Sequence, residues 1–224
     1  HSNLEALTTA LNHFEKEKVD KVICLGDIVG YNANPGECID ALRKINAICI
    51  SGNHDRFTSG EIDAVIRPET RYVIEYTRKA LNKEQFEFLA SLPEELYVED
   101  IFFIVHGSPR HKDEYINSLD VARGCLQFLK QERPFVSICF YGHTHLPYLI
   151  SQNRIETDIH KNKSFELNKK MTYLVNVGSI GQPRDQCPLA SCAIFDTNTY
   201  TISYYRLDYS ITTTQKKIRE AGID

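Results

Sequence analysis

Five short polar clusters hold most of the residues in this chain that could do metal chemistry. Asp27 follows Gly26; Asn53, His54 and Asp55 follow Gly52; His106 precedes Gly107 and Ser108; His143 and His145 flank Thr144 after Gly142; and Ser179 follows Gly178. Imidazole nitrogens suit borderline transition metals, carboxylate and amide oxygens add harder ligands, and no thiolate accompanies them, so the set implies mixed nitrogen and oxygen ligation. Glycine beside each cluster lets the backbone turn sharply and leaves room for a ligand close to the main chain. Taken singly, each has a plainer reading. Asp27 reads as a turn cap, Asn53 as a left-handed turn residue, and a strand-end His such as His106 as a structural residue. Two imidazoles two positions apart, as in His143-Thr144-His145, can reach adjacent coordination positions. The joint occurrence of the clusters is what points to chemistry.

Each cluster terminates an apolar run, at residues 22–25, 47–50, 101–105, 138–141 and 174–177. In α/β sheets ligands bind outside the carboxyl ends of strands, so one rim is expected to hold one site. Helix signals alternate with these strands in the first half. Leu4, Leu7, Leu11 and Phe14, behind a Ser2-Asn3-Leu4-Glu5 capping box, predict a helix over the first eighteen or so residues. Asn34 as cap, Pro35 at the first position and Glu37 predict a second. Residues 61–91 carry helical patterning in pieces, broken at Pro68 and restarted after Asn82, with helices packed on the sheet as the default reading and a lid over 56–91 as the other. A hairpin over 96–99 and 101–105, a helix over 119–131 and a strand over 135–141 follow. Strands at 148–150, 172–177, 191–195 and 200–206 and a helix at 213–221 complete the chain, with the polar stretch 151–170 as an exposed hairpin or long loop.

A chain of 224 residues fits a single domain over 1–224. Hydrophobic residues at 42% and charged residues at 25% are ordinary globular usage, which disfavours disorder and fibrous repeats. With a formal charge of -4 and no more than two adjacent Lys/Arg residues, a nucleic-acid scaffold is not expected as a partner. The apolar runs fall far short of the roughly 20 residues that cross a bilayer, so no membrane partner is expected either. The cysteines number seven, lack any Cys-x-x-Cys pair, and at Cys24, Cys49 and Cys139 sit inside apolar runs. They read as buried hydrophobes of a cytoplasmic protein without a signal peptide.

In order along the chain, the clusters resemble the calcineurin-like metallophosphoesterase superfamily, in its single-domain prokaryotic phosphodiesterase or phosphatase form. That family's pattern runs Asp-x-His, Gly-Asp-x-x-Gly, Gly-Asn-His-Asp/Glu, a strand-end His, and Gly-His-x-His. Here it is met by His1, Gly26-Asp27-Ile28-Val29-Gly30, Gly52-Asn53-His54-Asp55, His106 and Gly142-His143-Thr144-His145. The resemblance runs from His1 to about Asp196, and the Asp and strand that precede the first His in the family are expected upstream of His1. Were His1 the true start, weak occupancy of the first metal position would follow.

The resemblance implies a four-layer α/β/β/α sandwich of two mixed sheets. It implies that His1 and His145 hold a first metal, that Asp27 bridges, and that Asn53, His106 and His143 hold a second. It gives His54 a catalytic place near the leaving-group oxygen, as proton donor or charge stabiliser, with Asp55 orienting it. Arg56 is the best candidate for binding substrate phosphate, ahead of Arg110 and Arg184. Tyr31 and Tyr141 are read as packing residues before they are read as base-stacking ones. The implied cofactors are two transition-metal ions drawn from Mn, Fe, Zn or Co, and the implied chemistry is attack of a metal-bound hydroxide on a phosphodiester or phosphomonoester. The segment from Gly178 to Arg184 is similar to one in small prokaryotic members, which favours a nucleotide or other small-molecule phosphoester. The rival readings are a phosphoprotein phosphatase, a dinucleoside polyphosphate hydrolase, and a catalytically silent, metal-poor binding module.

Overall fold

The structure, a computed structural model, describes residues 1–60 and 66–223. The first half runs α1 (Leu4–Lys16), β1 (Ile23–Cys24), α2 (Pro35–Lys44), β2 (Ile48–Cys49), α3 (Asn53–Ser59), α4 (Pro68–Ala80), α5 (Lys83–Ser91), β3 (Glu95–Val98) and β4 (Phe102–Val105). The second runs α6 (Leu119–Glu132), β5 (Ile138–Tyr141), β6 (Pro147–Ser151), β7 (Ile155–Glu156), β8 (Lys163–Glu166), β9 (Tyr173–Val177), β10 (Ala190–Asp196), β11 (Thr201–Leu207) and α7 (Ile211–Ala221). Two compact units emerge: one of His1–Pro93, Ile180–Gln182 and Leu207–Asp224, the other of Glu94–Ser179 and Pro183–Arg206.

In the first unit β1 and β2 pair in parallel, Ile23 opposite Ile48 and Cys24 opposite Cys49. Around them pack Ile28, Val29, Ile39, Leu42 and Leu89, so α2 and α5 bury their apolar faces on this short pair. The cap of α1 is Asn3, whose side chain accepts the Ala6 N–H at 3.1 Å. Ser2, the expected cap, is instead held at φ 55 with its N–H on the Ile28 carbonyl at 2.9 Å, so the chain enters the helix one residue later. Asn34 precedes α2, but its side-chain amide donates to Glu37 at 2.8 Å and makes no cap bond to the helix backbone.

The patterning over 61–91 resolves into α4, with Pro68 in its first turn, and α5, where Asn82 and Gln85 exchange a reciprocal capping box at 2.9 and 3.0 Å. Its first stretch, 61–65, lies outside the described residues. Arg78 on α4 donates to the Phe57 and Thr58 carbonyls at 2.7 and 2.9 Å, satisfying the end of α3. The described part of 56–91 is thus packed helix.

The second unit holds a six-stranded mixed sheet in the order β3-β4-β5-β9-β6-β7 and a three-stranded sheet in the order β10-β11-β8. β4, β5 and β9 run parallel, and α6 makes the crossover between the first two. Ala122, Cys125, Leu126 and Leu129 of α6 pack on Phe103, Val105, Cys139 and Tyr141 of one sheet face. The alternate residues Phe102 and Phe140 meet Phe195 of β10 at 6.1 and 5.9 Å between ring centroids, and Tyr204 donates to the Tyr148 carbonyl at 2.9 Å. Strands β4 and β5 are therefore covered on both faces, which is why they are continuous apolar runs. The α/β class with mixed sheets is the one the resemblance implied.

Two local differences have simple causes. β5 begins at Ile138, because Val136 N–H closes a turn on the Arg133 carbonyl at 2.9 Å and leaves Phe135 95% exposed. The polar stretch 151–170 supplies β7, hairpinned onto β6, and β8, which pairs with β11. β8 buries Phe165 alone of its residues, so it carries almost no apolar signal. All seven cysteines are free thiols. Burial pushes Cys38 and Cys192 up to about 12 and Cys125 up to about 11, which keeps these thiols protonated. Among the described residues no helix is long and apolar enough to cross a membrane.

Candidate metal centre

In the first unit the chain leaves β1 through Gly26 and Asp27, at φ 89 and 54, a left-handed turn that aspartate tolerates better than most non-glycine residues. The Asp27 carboxylate lies between two partners. Oδ1 accepts the His54 N–H at 2.9 Å, and Oδ2 stands 3.4 Å from His1 Nε2. His1 Nδ1 is 3.1 Å from the Val29 carbonyl. A carbonyl only accepts, so Nδ1 carries a proton and Nε2 is the nitrogen that faces Asp27. His1, Asp27 and His54 each offer a ligand atom within 4.8 Å of the others.

The cluster read from sequence as a strand-end loop is also a helix start. Asn53, His54 and Asp55 are the first three residues of α3, with Gly52 as N-cap. The His54 ring packs on His1 and Tyr31, with centroids 4.9 and 4.5 Å apart. Asp55 is fully buried and spends both oxygens on backbone N–H groups, those of Val29 at 3.1 Å and Gly52 at 2.9 Å, which ties the loop after β1 to the start of α3. Arg56 is buried and donates Nη1 to the Ser51 carbonyl at 3.2 Å.

Burial first, and the neighbouring Asp27 carboxylate second, push the Asp55 carboxyl up to about 6, against the pull of its two N–H bonds. A carboxyl raised in the folded state supports folding most while protonated. Its contribution is full below its ordinary value of 3.8 and is lost as pH rises through about 6. In chelator-treated protein, the stability difference between wild type and Asp55→Asn is therefore expected to shift against wild type as pH rises from about 4 to about 7, read from urea unfolding. A pH-independent difference would contradict this account.

In the second unit the adjacent parallel strands β4, β5 and β9 deliver three clusters to one sheet edge. His106 Nε2 and His143 Nδ1 face each other at 3.1 Å. His143 Nε2 lies 3.2 Å from the Asp113 carbonyl, so a proton belongs on Nε2 and Nδ1 is the nitrogen left facing His106. Two imidazole nitrogens this close share one proton or a cation, which suits a metal site. His143 and His145 both adopt left-handed backbone, at φ 63 and 61, a strain of about 1–2 kcal/mol each for a side chain with a Cβ. Both side chains are buried.

What holds this turn is Asn176, which sequence reasoning missed. Fully buried on β9, it donates to the Gly142 carbonyl at 2.7 Å and to Thr144 Oγ1 at 3.0 Å, and its Oδ1 accepts the Gly178 N–H at 2.9 Å. The available signal was one amide inside the apolar run Tyr-Leu-Val-Asn-Val. Asn176→Leu leaves the buried Gly142 carbonyl with only the Thr144 N–H at 2.7 Å and strands the half-buried Gly178 N–H, so we expect a loss of about 2 kcal/mol in chemical denaturation. Metal affinity is expected to fall about 10–100-fold in competition with a chromogenic chelator.

The other sequence candidates divide. Arg110 is paired through two nitrogens with Glu114, which also takes a 2.5 Å bond from Ser108, so it braces its own loop. Arg184 is exposed. Tyr141 is fully buried, the packing role expected of it, while Tyr31 lies against the rings of His1 and His54.

Comparison with known proteins bears on these two sets of donors. A family model described as the calcineurin-like phosphoesterase superfamily domain matches residues 1–200. The chain is 34% identical over 225 residues to an uncharacterized protein of Methanocaldococcus jannaschii, a match spanning 97% of this chain and 88% of that protein. The crystal structure of a metallophosphoesterase from Sphaerobacter thermophilus is similar with a TM-score of 0.86 and 33% identity, over 100% of this chain and 91% of that one. A hypothetical protein from Pyrococcus horikoshii shares the fold at a TM-score of 0.81 and 21% identity, over 100% of this chain and 90% of that one.

Proposed function

The chain belongs to the calcineurin-like phosphoesterase superfamily, and on that premise we propose that it is a dinuclear metal-dependent hydrolase of phosphodiesters or phosphomonoesters, with a nucleotide or other small molecule as substrate. The observation that carries this reading is the state of two imidazoles. His1 and His143 each spend one ring nitrogen on a backbone carbonyl, and each turns the other toward a second potential ligand, Asp27 for His1 and His106 for His143. Such hydrogen-bonded imidazoles are the usual form of metal-ligating histidine.

Following the family pattern residue by residue, His1 and His145 hold one ion, Asp27 bridges, and Asn53, His106 and His143 hold the other. Ions of the Mn, Fe, Zn or Co class, when bound, supply an activated water and neutralise charge on the phosphoryl group. The chain supplies the rest. His54, fixed between the rings of His1 and Tyr31, gives a proton or a positive charge to the leaving-group oxygen. Asp55 holds the loop after β1 against the start of α3, so His54 and Asp27 keep their relative placement. Arg56 supports the phosphate from the same helix.

The test is elemental analysis of protein purified without chelator, with Mn-dependent hydrolysis of bis-p-nitrophenyl phosphate compared with the monoester. Bound metal with turnover is expected. Activity confined to a phosphopeptide would replace this reading with a phosphoprotein phosphatase, and a folded, metal-free, inactive protein would replace it with a binding module.

A further inference from the structure

Most rings around the candidate ligands are buried, but one is not. Tyr115 stacks on His143 with centroids 3.8 Å apart and planes 31° apart, yet remains 45% exposed, whereas His143 itself is 6% exposed. With one face on the imidazole, its exposure falls on the remainder of the ring. The other exposed aromatics with side-chain bonds are anchored elsewhere: Tyr72 donates to the Gly222 carbonyl, and Tyr97 receives Arg133.

Tyr115 is also held rigidly. On one side Ile116 is 1% exposed and anchors the chain in the core. On the other, Glu114 takes Ser108 at 2.5 Å and Arg110 Nε at 2.9 Å, its N–H bonds the His111 carbonyl at 3.2 Å, and the Asp113 carbonyl faces His143 at 3.2 Å. A large ring, half in water and fixed from both sides, presents a flat face whose ordering cost is already met.

We propose that Tyr115 is a stacking platform that selects phosphoesters bearing a flat aromatic group, a nucleobase or an aryl ring, beside the reacting phosphate. The proposal rests on the reading that His143 holds one of the metals of a phosphoester hydrolase. A ring laid on the exposed part of Tyr115 stands close to His143, and therefore within a few bonds of a phosphate held at that metal. Stacking of this kind tolerates any base, so the selection is for aromatic over aliphatic esters and not for one base over another.

The experiment compares two phosphates that differ only in the base. Metal-loaded protein is titrated calorimetrically with adenosine 5′-monophosphate and, separately, with ribose 5-phosphate. Wild type and Tyr115→Phe are expected to bind the nucleotide about tenfold more tightly than the sugar phosphate, and Tyr115→Leu to bind the two within about twofold. Metal content and affinity for ribose 5-phosphate should be unchanged in Tyr115→Leu, and its loss should appear in KM and not in kcat for bis-p-nitrophenyl phosphate. Equal or undetectable binding of both phosphates by wild type would overturn the proposal. So would a Tyr115→Leu protein that loses metal, which would make the ring a support for His143 only. Failure of the hydrolase reading looks different: no turnover of any phosphoester while the preference for the nucleotide persists.

Discussion

Asp27→Asn is expected to leave a folded protein that has lost metal and turnover together, with metal affinity and kcat/KM each down at least about 100-fold. The substitution is nearly isosteric. An asparagine carbonyl can still accept the His54 N–H that Oδ1 now receives at 2.9 Å, so the placement of α3 survives. What disappears is the negative charge, which in the proposed site must keep two cations together against their repulsion. The same change has an opposite effect on the metal-free fold. Asp27 is the second cause, after burial, of the raised Asp55 carboxyl, so neutralising it lets Asp55 ionise at lower cost. Chelator-treated Asp27→Asn should therefore unfold at a higher denaturant concentration than chelator-treated wild type near neutral pH, by an amount that shrinks on acidification below about 6. A variant that keeps its activity would sink the bridging assignment. A variant less stable than wild type without metal would sink the electrostatic account of Asp55.

That Asp27 and His54 matter was legible because both end an apolar run with glycine alongside, a pattern that survives in one dimension. What braces them was not. The contacts of Asp55 are to the N–H groups of Val29 and Gly52, and the first is 26 residues away. Nothing in local spacing distinguishes such a carboxylate from one on the surface. Asn53 to Asp55 read as a loop because the residues that favour turns also favour helix N-termini; the helix that follows, only seven residues long, is too short to show periodicity. The strands of the second unit were legible where both faces are covered, as in β4 and β5, since burial makes the whole run apolar. They were illegible at β7 and β8, edge segments whose residues mostly face water.

The same logic explains Asn176 and Arg110. A lone amide in an apolar strand gives no hint that it ties Gly178, two residues on, to Gly142 and Thr144, which lie 34 and 32 residues away on the neighbouring strand's turn. An arginine after a strand-end histidine looks like a phosphate clamp until Glu114, four residues on, is seen to face it. Backbone strain is equally silent: Asp27, His143 and His145 all occupy the left-handed region, which Asp and His visit more readily than most residues but which no local spacing announces.

Gly52→Ala should be the most damaging conservative change in the first unit, and for a reason unlike the usual one for glycine. Gly52 has φ -92 and ψ 177, extended backbone that alanine adopts freely. The obstacle is proximity: an added Cβ would lie 2.1 Å from Asp27 Oδ1 and 2.3 Å from the Asp27 backbone nitrogen. A carboxylate can swing aside at the expense of its bond to His54, but the backbone nitrogen belongs to a left-handed turn that cannot yield without moving Gly26 and Asp27 together. We expect a loss of about 3 kcal/mol or more in urea unfolding, at the upper end for overpacking, and loss of bound metal. Gly60→Ala is the control. Gly60 sits at φ 151 with nothing within 4 Å of an added Cβ, so its cost is conformational only, about 1–2 kcal/mol, with metal content intact. Equal losses in the two variants would sink the proximity account; a large loss of metal in Gly52→Ala alone would show that Gly52 is there to let Asp27 approach the start of α3.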